Sequence, residues 1–326
     1  MAWQCKQRFM YGVNYAWHHF AGDFGGIPEW DQLGVAADPD TFSAELADMR
    51  AHGVSVVRWW LFPDFRGKGV AFDANDNLVG LGATTLADLE AALQLAELHD
   101  LYLMPCLFSF DGFRATRDDS GVHIPGLQRF VVDDTRRAAL MSSVVAPVTR
   151  AVAQSAHAAR VMAWDVINEP EWAVSGTNSH GDPPFDPNAD LQVVTPAQME
   201  RFITDAVATL HAESTAPVTV GSAAVKWANA WKNTGIDFYQ FHTYAWVDAW
   251  WPYAQSPADN GVADRPVVMG EFPMGDLGTT PYATVVESWF TNGYAGALSW
   301  QYNEADATAL ARVQAFADAH PCQTRY

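Results

Sequence analysis

The sequence contains few cysteines, and their placement argues against one class of site. Among 326 residues there are three, Cys5, Cys106 and Cys322. No two of them have the spacing of a zinc-binding pair, so a zinc site built from cysteine is not expected. Cys106 lies in an apolar run and is predicted to be a small buried side chain. Cys5 and Cys322 lie near opposite ends of the chain, so a disulfide between them and two free thiols remain as alternatives.

Long apolar runs and basic residues are also scarce. No stretch of about 18 or more apolar residues occurs, so no membrane span is predicted. Lysine and arginine together number 19 against 38 aspartates and glutamates, which gives a formal net charge of −19. That charge repels nucleic acid and anionic membranes and suits a neutral ligand. We expect a monomer with neither nucleic acid nor a membrane as its partner.

Two further absences concern the organisation of the chain. The first residues lack the apolar core of a signal peptide. Localisation in the cytoplasm and secretion with a removed leader therefore both remain open. No linker rich in serine and glycine and no tandem repeat interrupts the sequence, which predicts a single domain spanning residues 1–326.

Short apolar, β-branched runs alternate with longer amphipathic segments along the whole chain. Eight runs read as strands, at residues 10–14, 55–62, 102–109, 161–168, 218–222, 238–243, 267–271 and 295–301. Eight β-α units predict a parallel (β/α)8 TIM barrel. The competing fold is an open, doubly wound sheet, which usually carries a glycine-rich phosphate turn after its first strand. The segment that begins at Gly12 has no such turn, so the barrel is favoured.

The segments that follow the predicted strands are long, whereas those that precede them are short. Residues 15–38, 110–132, 171–194 and 245–264 are rich in glycine, aspartate, tryptophan and proline. In α/β barrels the loops after the strands build the active face. The sequence therefore predicts a binding cleft at the carboxyl ends of the strands.

Two glutamates end two of the predicted strands. Glu169 follows the fourth run and stands between Asn168 and Pro170, and Glu271 ends the seventh run. A carboxylate at the end of an apolar strand is costly to bury without a purpose. Because the carboxyl ends of all barrel strands meet at one mouth, the two acids are predicted to lie together. A pair of carboxylates is the minimum equipment for cleaving a glycosidic bond.

Other polar and aromatic residues fall at the same strand ends. Arg58 interrupts the second run and needs a carboxylate partner, for which the nucleophilic glutamate is a candidate. His242 and Tyr244 close the sixth run two residues apart, so both can face the mouth. Trp300 ends the eighth run. Of the 14 tryptophans, Trp17 and Trp246 lie in the loops after strands one and six, where stacking on a sugar ring is predicted.

The order of these motifs resembles that of the clan A retaining β-glycoside hydrolases, and most nearly the cellulase-like glycoside hydrolase family 5. The resemblance rests on Arg58, Asn168-Glu169-Pro170, His242-x-Tyr244, Glu271 and Trp300, and it spans nearly the whole chain. It implies an eight-stranded barrel and hydrolysis with retention of configuration. It also implies that Glu169 is the acid/base and Glu271 the nucleophile.

One departure from the family pattern lies on the third strand. Family 5 enzymes usually carry a histidine near its end, whereas this chain has Ser109 and Asp111 there. Either residue is a candidate to fill that space. The departure concerns the contacts of the bound sugar and not the two glutamates.

The leading hypothesis is a retaining β-glycoside hydrolase that acts on a β-linked glucan or mannan. It needs neither a cofactor nor a metal, and its partner is a carbohydrate. Two alternatives stay open: another β-glycan specificity, such as xylan or exo-acting cleavage, and a carbohydrate-binding barrel without catalysis. The second alternative would keep the aromatic loops and lose one of the glutamates.

Overall fold

Eight short apolar segments pair side by side as parallel strands. They are β1 (Met10–Asn14), β2 (Val56–Trp60), β3 (Tyr102–Ser109), β4 (Trp164–Asn168), β5 (Val218–Ser222), β6 (Tyr239–His242), β7 (Val267–Glu271) and β8 (Gly296–Ser299). In this computed structural model, which describes residues 2–3, 6–247 and 249–326, β8 pairs with β1 and β3 with β4, so the sheet closes. The predicted TIM barrel is confirmed, and the open sheet is excluded.

Every strand overlaps its predicted segment, although several are shorter than predicted. The runs at 55–62, 161–168, 238–243 and 295–301 contract to β2, β4, β6 and β8. The hydrophobic run overestimates strand length because apolar residues continue into the loops that cover the barrel. Trp300 therefore follows β8 rather than ending it.

Helices pack outside the barrel in most of the connections. They are α1 (Pro39–Ala51), α2 (Thr85–Leu98), α3 (Gln128–Val132), α4 (Asp134–Leu140), α5 (Ala146–Gln154), α6 (Pro196–Glu213), α7 (Tyr282–Thr291), α8 (Ala307–Ala319) and α9 (Pro321–Thr324), with a π-helical turn at Met141–Val145. The longest, α6, begins at a capping box in which Thr195 and Gln198 bond each other's main chain. Within the described residues, the β5–β6 connection carries a 3-10 turn in place of an α-helix, and β6–β7 carries no helix.

Short elements decorate the connections. Antiparallel pairs form between Ala2–Trp3 and Lys6–Gln7, between Val70–Phe72 and Leu78–Leu81, and between Arg117–Asp119 and Val122–Ile124. Turns of 3-10 helix lie at Pro28–Trp30, Phe110–Phe113, Ala158–Arg160, Pro170–Ala173, Val225–Trp227 and Tyr302–Glu304. In the described part of the chain, no helix is both long and apolar enough to traverse a lipid bilayer. Cys106 is buried and Cys322 is an exposed free thiol, while Cys5 lies outside the described residues.

Alternation along β2 shows how the barrel interior is layered. Val57 and Trp59 point outward into the core between strands and helices, whereas Val56, Arg58 and Trp60 point inward, because successive side chains face opposite sides of a sheet. Val56 belongs to an apolar floor with Met10, Met104, Met162 and Leu298. Trp60 lies in an aromatic cluster at the mouth. Arg58 occupies the layer between them, directly beneath the strand ends that carry the glutamates.

Candidate active site

A buried ionic network lies beneath the mouth of the barrel. Arg58 is fully buried, and its Nε and Nη2 lie 2.9 and 2.8 Å from Asp165 Oδ2. Its Nη1 donates to Asn14 Oδ1 at 2.8 Å, and its Nη2 donates to Asn168 Oδ1 at 2.9 Å. Asp165 raises the pKa of the guanidinium despite its burial, so the side chain stays a cation. The carboxylate closest to the guanidinium is that of Asp165, since the nearest oxygen of Glu271 lies 3.7 Å from Nη1.

Gly221 on β5 makes room for this network. A Cβ at that position would lie 2.6 Å from Arg58 Nη2 and 3.0 Å from Asp165 Oδ2. The main-chain N–H of Gly221 also donates to Asp165 Oδ1 at 2.9 Å, and its carbonyl accepts from the Glu169 N–H at 2.6 Å. The absence of a side chain here lets β5 approach both the buried ion pair and the first residue after β4.

Glu169 stands at the sharp turn between β4 and a 3-10 helix. Its backbone is left-handed, with φ 48° and ψ 50°, a conformation that non-glycine residues adopt rarely and mostly where a site requires it. His242 Nδ1 lies 2.7 Å from its Oε1, and Trp172 Nε1 donates to its Oε2 at 2.8 Å. Burial raises its pKa to about 7, although the Trp172 N–H and the Arg58 cation act in the opposite direction.

Glu271 ends β7 and is nearly buried. The Tyr244 hydroxyl donates to its Oε1 at 2.5 Å, and His242 Nδ1 lies 3.3 Å from its Oε2. Burial and the neighbouring Glu169 raise the pKa of this carboxyl, whereas His242, Arg58 and the Tyr244 hydroxyl oppose that rise. The Arg58 cation and the Tyr244 hydroxyl therefore favour the ionised form of Glu271.

His242 lies behind both glutamates and is fully buried. Burial lowers its pKa to about 4, so the ring is neutral near pH 7. The tautomer with the proton on Nδ1 donates to Glu169 Oε1 at 2.7 Å and places the same N–H 3.3 Å from Glu271 Oε2. The ring therefore lies close to one oxygen of each carboxyl group.

The same three side chains are also the only group with metal-ligating spacing among the residues that the structure describes. The ligand atoms of Glu169, His242 and Glu271 lie within 4.8 Å of one another. The Arg58 guanidinium, 3.7 Å from Glu271, disfavours a second cation at this place. The expectation that the site works without a metal stays a prediction.

A cavity of about 410 Å³ opens above the two glutamates. It is lined by Trp17, Phe20, Trp60, Phe110, Asp111, Asn168, Glu169, Trp172, Ala223, Tyr244, Trp246, Glu271 and Trp300. Surface cavities of about 540 and 850 Å³ lie elsewhere and contain neither glutamate. The structure thus brings seven of the nine residues named from the sequence to the cavity wall, while Arg58 and His242 lie buried behind it.

Aromatic side chains form two walls on opposite sides of the cavity. On the β8–β1–β2 side, Trp300 lies 5.9 Å from Trp17 and 5.8 Å from Trp60 between ring centres. On the β4–β6 side, Trp172 lies 6.2 Å from Trp246. Trp246 is 47% exposed. Flat, partly exposed rings on both sides of a cavity suit the apolar faces of sugar rings.

Several contributors, Trp172 among them, were not among the predicted site residues, and two of the others carried a readable signal. Asn14 ends β1 just as Asn168 ends β4, and Trp60 lies two residues after Arg58 on the same face. Phe20 and Phe110 lie in connections where no periodic pattern indicates direction. Asp111 lines the cavity and accepts from the Ser109 hydroxyl at 2.8 Å, so both polar residues at the end of β3 lie near the site.

Comparison with known proteins finds two sequence relatives, both named as mannan endo-1,4-β-mannosidases. No family model matches it. It is 26% identical to a mannan endo-1,4-β-mannosidase of Mytilus edulis, over 90% of this chain and 83% of that protein. It is 25% identical to the enzyme of the same name from Cryptopygus antarcticus, over 90% of this chain and 80% of that one.

A solved structure agrees with the barrel. The β-mannanase from the blue mussel Mytilus edulis superposes with a TM-score of 0.77 at 24% identity, covering 98% of this chain and 94% of that one. The superposition shows the shared fold. Together with the sequence relatives, it confirms the predicted resemblance to clan A glycoside hydrolases of the family 5 type.

Proposed function

We propose that this chain, an O-glycosyl hydrolase, is a retaining endo-β-1,4-mannanase in which Glu169 is the acid/base and Glu271 the nucleophile. The spacing of the two carboxyl groups carries the proposal. An oxygen of Glu169 lies within 4.8 Å of an oxygen of Glu271. Retaining enzymes hold the pair about 5–5.5 Å apart, whereas inverting enzymes need about 6.5–9.5 Å to admit a water molecule.

The two environments support the division of roles. Burial raises the pKa of Glu169 to about 7, which keeps a proton on it at neutral pH and suits a general acid. Glu271 has the Tyr244 hydroxyl at 2.5 Å and Arg58 at 3.7 Å, and both stabilise a carboxylate. Burial raises the pKa of both carboxyls, but the cation and the hydroxyl beside Glu271 favour its carboxylate form, and such a difference in surroundings is what an acid and a nucleophile require.

The reaction then runs in two steps. In the first, Glu271 attacks the anomeric carbon while Glu169 transfers its proton to the leaving oxygen, which gives a covalent glycosyl-enzyme and a free sugar end. In the second, Glu169, now a carboxylate, takes a proton from water as the water attacks the same carbon. The bond to Glu271 breaks, the configuration is retained, and both glutamates return to their starting states.

Asn168 supports recognition of the sugar at the cleavage point. Its Oδ1 accepts from Arg58 at 2.9 Å, which fixes the orientation of the amide because Arg58 can only donate. Its Nδ2, 3.5 Å from Ser109 Oγ, is then the atom with donor capacity left for substrate. We assign it to the sugar 2-hydroxyl, while Trp17, Trp246 and Trp300 stack on sugar rings in the cleft.

The assignment of mannan rests on the two sequence relatives, both named as mannan endo-1,4-β-mannosidases. We expect hydrolysis of mannan and manno-oligosaccharides, with β-glucan and xylan cleaved far more slowly. Proton NMR of the first product should show the β-anomer before mutarotation, and the viscosity of a mannan solution should fall early, as endo cleavage requires. A first product of α configuration would contradict retention.

Two variants test the roles of the glutamates. Glu271→Gln should remove nearly all hydrolysis while the far-ultraviolet circular dichroism spectrum stays unchanged. Glu169→Ala should lose activity on mannan but regain it on an activated aryl β-mannoside when azide is added, because azide needs no base. Substantial activity of Glu271→Gln, or failure of the azide rescue, would assign these roles to other residues.

A further inference from the structure

Both carboxyl oxygens of Glu169 have a nitrogen partner in the protein. His242 Nδ1 lies 2.7 Å from Oε1, and the indole Nε1 of Trp172 lies 2.8 Å from Oε2. An indole N–H can only donate. The neutral His242 ring carries its proton on Nδ1 when it serves both glutamates, so it also donates. When Glu169 is ionised, each of its carboxylate oxygens therefore accepts a hydrogen bond from the protein.

Resting on the function proposed above, we propose that Trp172 is a positioning residue for the acid/base. Its indole N–H holds the Glu169 carboxyl in place and stabilises the ionised form that the second step needs. The same ring lines the cavity beside Trp246, so one side chain both contacts the sugar chain and sets the proton affinity of the group that acts on it.

The surroundings of Trp172 prevent its ring from turning away. It lies on the 3-10 turn Pro170–Ala173 directly after Glu169. The preceding residue, Glu171, is fully buried and accepts from the Ser222 hydroxyl, from the Ala223 N–H at 3.0 Å and from Trp231 Nε1 at 2.7 Å. The Trp172 ring packs edge-on against Trp227, with ring centres 5.6 Å apart at 89°. A turn anchored on both sides presents the indole N–H at a fixed place.

The catalytic cycle explains why such a donor is needed. Glu169 must hold a proton in the first step and lack it in the second. Burial favours the protonated form, whereas a hydrogen bond to a carboxylate favours the ionised form. Without the indole N–H, the balance would shift toward the protonated form of Glu169. Less of the ionised form would then be present in the second step, where a base is required. The Trp172 contact therefore keeps one carboxyl usable in both steps near neutral pH.

Trp172→Phe tests this role because it keeps an aromatic ring and removes the indole N–H. A hydrogen bond to a charged group corresponds to a shift of about one pH unit. For a manno-oligosaccharide, the basic limb of the kcat/KM profile should therefore move up by about that amount. For a dinitrophenyl β-mannobioside, whose leaving group needs no acid, the acidic limb of kcat should move in the same direction.

Trp227→Phe is the matched control. It keeps an aromatic ring in the same cluster and removes an indole N–H. That N–H donates to the main-chain carbonyl of Pro184 at 3.4 Å and not to Glu169. For this variant we expect the basic limb of kcat/KM and the acidic limb of kcat to lie at the same pH as in the unmodified enzyme. Trp172→Leu should reproduce the shift of Trp172→Phe and also raise KM, because the ring itself is lost.

The inference would be overturned if the limbs of the pH profiles stay in place in a folded Trp172→Phe variant. It would also be overturned if Trp227→Phe moves them as far as Trp172→Phe does. Failure of azide to rescue Glu169→Ala would instead overturn the acid/base assignment on which it rests. The two failures are distinguishable, since the first concerns the position of the pH limbs and the second concerns whether Glu169 acts at all.

Discussion

The buried pair Arg58–Asp165 should be strongly coupled in its contribution to stability. Both side chains are fully buried and lie 2.8 Å apart. Arg58→Met leaves Asp165 as a buried carboxylate without its cation, and Asp165→Leu leaves the guanidinium without its closest anion. Removing one partner of a buried pair costs about 3–5 kcal/mol. We expect each single variant to lower the free energy of unfolding by that amount.

The double variant distinguishes an ion pair from two independent contacts. With both charges gone, neither member of the pair is left without the other, although Asn14 and Asn168 lose their donor and Gly221 N and Gln240 Nε2 lose their acceptor. The loss should therefore fall short of the sum of the single losses by about 2–3 kcal/mol. Urea unfolding followed by tryptophan fluorescence and by circular dichroism measures all four proteins of the cycle.

Arg150 and Glu213 supply a control on the outside of the barrel. They link α5 to α6 with two contacts, at 2.9 and 2.5 Å, but both side chains reach solvent. The same cycle there should yield a coupling much smaller than that of the buried pair, because water screens exposed charges. Losses at Arg58 and Asp165 that add within about 0.5 kcal/mol would refute the reasoning.

Four further outcomes are expected. With Glu169 at a pKa of about 7, kcat/KM for manno-oligosaccharides should fall tenfold per pH unit above that pH, and a flat profile up to pH 9 would contradict its role as acid. Gly221→Ala, whose methyl group would lie 2.6 Å from Arg58 Nη2, should lower activity at least tenfold, whereas near-normal activity would contradict the packing. Glu171→Ala strands three buried donors and should lower the unfolding free energy by about 2–4 kcal/mol in urea. Trp246→Ala should raise KM for mannan severalfold with kcat and melting temperature little changed, and an unchanged KM would remove it from the cleft.

The barrel was predictable because its strands are short β-branched runs that recur eight times. Polar residues at strand ends, such as Asn168 and Glu271, stand out against those runs and identify the mouth. The depth of a residue could not be predicted in this way. Arg58 and His242 were placed at the strand ends of the mouth, and they lie buried behind the carboxylates, because the sequence pattern gives a face of the strand and not a distance from solvent.

Pairing partners were harder still to predict. Asp165 is one polar residue inside an apolar strand. The sequence does not indicate that Asp165, more than 100 positions after Arg58, is the carboxylate closest to it, in place of Glu271. Loop aromatics show the same limit: Trp246 is half exposed, while Trp251, five residues later, is buried with its Nε1 2.5 Å from the Tyr294 hydroxyl. Tertiary packing decides these cases.

The anchoring of Glu171 has a consequence for exchanging loops between related barrels. Residues 168–172 include the amide of Asn168, the acid/base Glu169, the buried carboxyl of Glu171 and the indole of Trp172. The groups that donate to Glu171, however, belong to Ser222, Ala223 and Trp231. A graft of the β4 loop alone would bury a carboxylate without the Ser222 and Trp231 side chains that donate to it. The transplantable unit therefore comprises two segments separated by some fifty residues, and chimeras should retain activity only when both come from the same parent.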